Sequence, residues 1–301
     1  SPGFNLPKAA VAQLFAAQQF AKVATDPANL ETALPPAERA FLASRILARC
    51  DGLDGVQDGL VQDLQACRGA FDLARDVPTC TGARTGTCLT AAQKSAVASV
   101  FAGVRNSRGD ALYSGFPYDP GISQAGWADW KFRNSVGAQR DPVAVAFIFS
   151  SPPAPASIRA NTLAYALAFN FDTDAPKIFA TSGIYTESAM SFMTPPNPTH
   201  LDALRNRGAR MMVIHGAADG VFSPDDTAAW YSALDARHGG SADQFVRYFI
   251  VPGMGHSRGG PSTDQCDALT AYRTRLGSRR RTAAQIIDGW HMQRGFERRP
   301  E

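Results

Sequence analysis

From residue 8 to 24, Val11, Leu14, Phe15, Gln18 and Phe20 recur among alanines at helical spacing, which predicts an amphipathic helix. A second helix is predicted from about Pro36 to Ala48, entered through Pro35-Pro36. Residues 50–88 read as loop, and Thr90 then suits the N-cap of a helix running to about Val104. Residues 106–160 are aromatic, dotted with proline and weakly periodic, with Trp127, Trp130, Phe147 and Phe149. Such a stretch predicts an inserted cap of short helices and loops, its aromatic rings forming the cap's own core.

After Pro195-Pro196 the pattern changes. Leu201 to Arg207 predicts a short helix ended by Gly208, and Met211 to His215 is an unbroken apolar run. That run predicts a strand buried on both faces, as in a parallel sheet. Ser223-Pro224-Asp225-Asp226 offers an N-cap, a proline at the first helical position and two carboxylates for the helix dipole. The helix should continue through Trp230 and Leu234 to Gly239, and Gln244 to Val251 should form the next strand. Strand, helix, strand is the tail of an α/β sheet.

Composition narrows the class. Of 301 residues, 45% are hydrophobic and 19% charged, enough to bury a sizeable core. The net charge of +3 hides an uneven distribution: residues 271–301 carry +5, leaving −2 for the remainder. With no aromatic platform or helix-turn-helix pattern beside that basic stretch, nucleic acid is not an expected partner. No apolar run approaches the length of a membrane span, so no membrane partner is expected either. Cys50, Cys67, Cys80 and Cys88 cluster in a loop-rich stretch, while Cys266 stands apart. The clustering predicts two local disulfides and a secreted or periplasmic location; zinc lacks a C-x-x-C spacing. Ser1 to Pro7 is not a signal peptide, so the expectation is a processed chain or a piece of a longer one.

Two residues stand where sheet chemistry gathers. Asp219 lies in the loop after the Met211 strand and His256 in the loop after the Gln244 strand. Ligand and catalytic groups of parallel sheets cluster at such carboxyl ends. An acid followed by a histidine is the later part of the Ser…Asp…His order. In that pairing the carboxylate fixes the imidazole tautomer and the imidazole takes a proton from serine. Gly255-His256-Ser257-Arg258-Gly259 also matches G-x-S-x-G, a nucleophile-elbow string. It lacks the context: only His291 follows it, with no strand to present another acid and base. The reading adopted is His256 as base and Ser257 as bystander.

Asp51, Asp54 and Asp58 stand within eight residues, interleaved with glycine. Oxygen donors so spaced can wrap a hard cation such as calcium, although the spacing is not that of an EF-hand. The alternative is a solvated acidic turn; the flanking Cys50 and Cys67 favour calcium.

Together these strings resemble the tannase and feruloyl esterase family of α/β-hydrolases. The matching stretches are 2–13, 50–60, 215–224, 230–234 and 251–265, in the family's order. The resemblance implies an α/β fold: the C-terminal portion of an α/β-hydrolase sheet, residues 1–25 and 196–270, with a large lid domain at 26–195. It implies Asp219 as acid and His256 as base. Calcium would be held by Asp51, Asp54 and Asp58 with the Val56 and Leu60 carbonyls. Cys50–Cys67 and Cys80–Cys88 would be lid disulfides, and Phe222 and Trp127 would line an aromatic acyl pocket. The implied activity is serine-dependent hydrolysis of feruloyl, galloyl or terephthaloyl esters. The family's serine lies in a G-C-S-x-G-G string ahead of P-G-F-N-L-P, so an N-terminal partner chain or segment is expected to supply it. The alternative function is an inactive calcium-binding fragment or interaction module. The sequence departs from the family at Ser257, where cysteine is usual, and at 271–301, where arginines replace an apolar helix.

Overall fold

Helix α1 (Leu6–Ala21) shows why its segment is so rich in alanine. Ala9, Ala12, Ala16, Ala17 and Phe20 face one core, while Ala10, Val11 and Leu14 face a second. The expected amphipathic helix is therefore buried on both sides, because small side chains let neighbours close in all around it. The computed structural model describes residues 3, 5–262, 264 and 267. Cys266 and the arginine-rich stretch 271–301 lie outside the described residues.

Helix α2 (Pro36–Cys50) starts on a proline that fits the first turn and buries Leu42, Ala43 and Ile46 along one stripe. The helix Ala91–Ala102 opens with a capping box: Gln93 N donates to Thr90 Oγ1 at 3.1 Å, and Thr90 N donates to Gln93 Oε1 at 2.8 Å. Gly103, with φ 87°, ends it. Between these two helices the predicted loop contains short helices, Leu64–Ala70 and Leu73–Asp76. Each is nucleated locally, by the Asp63 and Asp72 side chains capping its first amides. Disulfides join Cys50 to Cys67 and Cys80 to Cys88. Residues 120–149 form short helical turns whose rings, Trp127 and Phe132 among them, pack on Phe20 and Phe101.

Strands β1 (Met211–Gly216) and β2 (Val246–Val251) pair in parallel, Met211 opposite Val246 and Gly216 opposite Val251. The helix Pro224–Arg237 connects them and packs on both. Ser223 Oγ accepts from the amides of Asp225 and Asp226, and itself donates to the Gly115 carbonyl. Met211 to Ile214 are only partly buried, unlike the two-sided burial expected.

Candidate active site

The acid loop leaves β1 at Gly216, where a side chain would run into the Met254 and Gly255 carbonyls. That close crossing lets the two loops hydrogen-bond: Ala217 N donates to Val251 O at 2.9 Å and Ala218 N to Met254 O at 3.0 Å. Asp219 follows, 1% exposed. Its Oδ1 accepts from the amides of Val221 at 2.8 Å and Phe222 at 3.0 Å. Its Oδ2 lies 3.0 Å from His256 Nδ1 and 3.3 Å from His215 Nε2. Three N–H groups converging on one carboxylate favour its ionised form.

Two groups hold this loop from behind. Fully buried Gln13, on α1, donates through Nε2 to the carbonyls of Gly220 at 3.1 Å and Val221 at 3.2 Å. His215, also fully buried, sits with Nδ1 2.9 Å from Thr227 Oγ1 and Nε2 3.2 Å from the Phe222 carbonyl. The network assigns the proton to Nε2, donating to Phe222 O, with Nδ1 accepting from the threonine hydroxyl. Neither residue was singled out from the sequence as part of the site.

The base loop turns at Gly253, whose φ of 68° suits glycine. The Gly253 amide donates to Asp119 Oδ2 at 3.1 Å, and Asp119 Oδ1 accepts from Gly121 N at 2.8 Å. Burial pushes the Asp119 carboxyl up to about 6. His256 presents a ring flanked by Trp130 (centroids 5.2 Å apart, edge-on) and Phe222 (5.4 Å). With Nδ1 on Asp219, the remaining ring nitrogen, Nε2, is the one suited to proton transfer.

Phe222 thus lies beside the base. Trp127 does not: it is 5% exposed and packs against Phe20, Phe101 and Phe132. The tryptophan whose ring meets His256 is Trp130, three positions on, while Trp127 lines a small cavity with Asp219 and lies against Gly220. The i, i+3 spacing of the two rings was the available signal, since it places both near one helix face. Ser257 has φ 66°, a conformation that an elbow serine also requires. Yet no helix follows it among the described residues, and Gly255 N closes the turn onto Gly259 O at 3.1 Å.

In the acidic loop each carboxylate folds onto neighbouring amides. Asp51 Oδ1 accepts from Asp58 N and Gly59 N, both at 3.0 Å; Asp54 Oδ1 accepts from Val56 N at 3.0 Å and Asp58 Oδ1 from Leu60 N at 3.1 Å. No three His, Cys, Asp or Glu side chains are gathered closely enough to hold a metal among the described residues. The donor set is all oxygen and its loop is closed by the Cys50–Cys67 bond, which fits a hard cation by chemistry.

An acid after one parallel strand and a histidine after the next is the arrangement of α/β-hydrolases. The chain belongs to the tannase and feruloyl esterase family, whose model matches residues 5–274. It is 37% identical over 297 aligned residues to mono(2-hydroxyethyl) terephthalate hydrolase of Piscinibacter sakaiensis, covering 90% of this chain and 49% of that protein. A probable feruloyl esterase B of Emericella nidulans is 27% identical, covering 78% of this chain and 41% of that one. Feruloyl esterase B of Aspergillus oryzae has a similar fold, with TM-score 0.62 at 20% identity, over 91% of this chain and 52% of that chain. Tannin acyl hydrolase of Aspergillus niger gives TM-score 0.59 at 17% identity, over 92% of this chain and 51% of that chain. The chain thus spans about half the length of these relatives. No helix among the described residues is long and apolar enough to cross a membrane.

Proposed function

We propose that this chain provides the acid and base of a secreted or periplasmic serine carboxylic ester hydrolase acting on aromatic esters. The observation that carries the reading is the 3.0 Å contact between His256 Nδ1 and Asp219 Oδ2 at the carboxyl ends of β1 and β2. His256 Nε2 takes the proton of a serine that belongs to the G-C-S-x-G-G segment ahead of Pro2-Gly3 in the family's order. The serine oxygen attacks the ester carbonyl, and the Asp219 carboxylate stabilises the imidazolium that forms. His256 then gives the proton to the leaving alcohol, and a water activated the same way hydrolyses the acyl-enzyme.

An aromatic acyl group is favoured by the rings of Trp130 and Phe222 next to His256, and by relatives named for terephthalate and feruloyl esters. Residues 26–195 act as a lid, and the loop of Asp51, Asp54 and Asp58 with the Val56 and Leu60 carbonyls binds a structural calcium ion that stiffens it.

The test is fluorophosphonate labelling and peptide mapping of the full-length protein, with hydrolysis of methyl ferulate, methyl gallate and mono(2-hydroxyethyl) terephthalate. Asp219→Asn and His256→Ala should each lower kcat by about three to four orders of magnitude. Labelling at Ser257, or full turnover in His256→Ala, would overturn the assignment.

A further inference from the structure

Lys131 lies in the helical turn Asp129–Asn134, next to Trp130, and is 1% exposed. Its Nζ makes no hydrogen bond among the described residues and sits 4.1 Å over the Phe116 ring. An ammonium so placed gives up several kcal/mol of hydration, and a methionine would fill similar volume without that cost. Phe116 and Asp219 line one small cavity, and a side chain added at Gly220 would meet Trp130 Cβ at 3.4 Å, so the lysine's turn lies against the acid loop. The carboxylates of Asp141 and Asp219 favour the charged form of Lys131 against burial.

Asp141 opens the short helix Asp141–Ala144, is itself buried, and has an Oδ2 without a hydrogen bond among the described residues. Its charged neighbours are Lys131 and Arg140. Burial pushes Lys131 down and Asp141 up, each to about 7, and each partly offsets that effect on the other. A third buried atom without a partner there, Gln13 Oε1, belongs to α1, which packs on both the Lys131 turn and the Asp141 helix. The other end of that amide holds Gly220 and Val221 of the acid loop. Of the other charges nearby, Glu31 takes Arg39 and Arg133, Asp129 takes Arg133, Arg140 lies over the Trp130 ring as well as acting on Asp141, and His215 Nε2 lies 3.3 Å from Asp219.

We propose that Asp141, Lys131, Asp219 and His256 form a run of alternating charge in which Lys131 is a positioning residue, its buried ammonium offsetting part of the Asp219 charge and so easing release of the proton that His256 carries during turnover. The inference rests on the reading of Asp219 and His256 as acid and base. Asp141 acts one step further back, keeping the lysine protonated. A packing role alone does not explain a buried cation and a buried anion that are neighbours, each with an unpartnered polar atom among the described residues.

The experiment follows the His256 ring of the full-length protein by NMR titration, its signal assigned with His256→Asn. Parent, Lys131→Met, Asp141→Asn and the double variant are compared. In Lys131→Met the ring should titrate higher by on the order of half a pH unit or more. Asp141→Asn should move it the same way, because a buried ammonium without its counter-ion sheds its proton. The double variant should go no further than Lys131→Met. An unchanged or lower midpoint in Lys131→Met overturns the proposal; packing damage that loosens the His256–Asp219 contact gives the lower value. Should Lys131→Met fail to fold, Asp141→Asn decides by the same criterion. No substrate enters this titration. A raised midpoint in a protein that hydrolyses no aromatic ester would keep the charge run and remove only the hydrolase reading.

Discussion

Asp119 accepts the amide of Gly253 at 3.1 Å, joining residues 134 positions apart and tying the helical region to the turn that presents His256. The carboxylate holds that turn from a site where water does not reach it.

Burial of this carboxyl, which outweighs its hydrogen bonds to Gly121 and Gly253, should make stability depend on pH. Burial raises the Asp119 carboxyl from 3.8 to about 6, so between those values the folded chain binds more protons than the unfolded one. Its contribution is therefore fullest below about 4 and declines as pH rises towards 6 and beyond. Asp119→Asn removes that titration. Urea melts at stepped pH should show the variant gaining on the parent by roughly 1–3 kcal/mol between pH 4 and 7; a constant gap would contradict the assignment.

The two tryptophans should separate cleanly. Trp127→Ala opens a hole among Phe20, Phe101 and Phe132 and should cost about 3–5 kcal/mol of stability. Trp130→Ala should cost less in urea melts and, in the full-length protein, raise KM for aromatic esters more than for acetyl esters. Equal effects on both esters would remove Trp130 from the acyl pocket.

Gln13→Leu keeps the volume but leaves the Gly220 and Val221 carbonyls without their donor. Loss of stability by about 1–3 kcal/mol is expected. Amide exchange in residues 217–222 should speed up more than in the Ala91–Ala102 helix, and uniform acceleration would argue against a local clamp.

Calcium should raise the midpoint of thermal unfolding, and chelation should return it to the metal-free value. Asp51→Asn and Asp54→Asn should each weaken the response. A melting curve indifferent to calcium in parent and variants alike would leave the loop as a solvated turn.

The sequence signals that held were local. Ser223-Pro224 marks its helix because the cap and the proline act on adjacent backbone, and Thr90 with Gln93 does the same. The first parallel strand was legible as an apolar run and the second as the strand following its helix, and with them the nearness of Asp219 and His256. What reached across the chain was not. Gln13 reads as one more polar residue of a helix, and only its contact with a loop more than two hundred positions later shows its purpose. Lys131 and Asp119 look like surface charges until neighbouring elements close over them. Trp127 and Trp130 have the same chemistry, and the packing of one turn decides which of them meets the base.

The Gln13 clamp also bears on how the chain is made. The glutamine is synthesised 207 residues before Gly220, a lag of roughly ten to forty seconds at common translation rates. Through that interval α1 lacks the loop that its buried amide is built to hold. The emerging chain must therefore shelter an alanine-rich apolar helix before its last partner exists, a period in which chaperones would decide the yield.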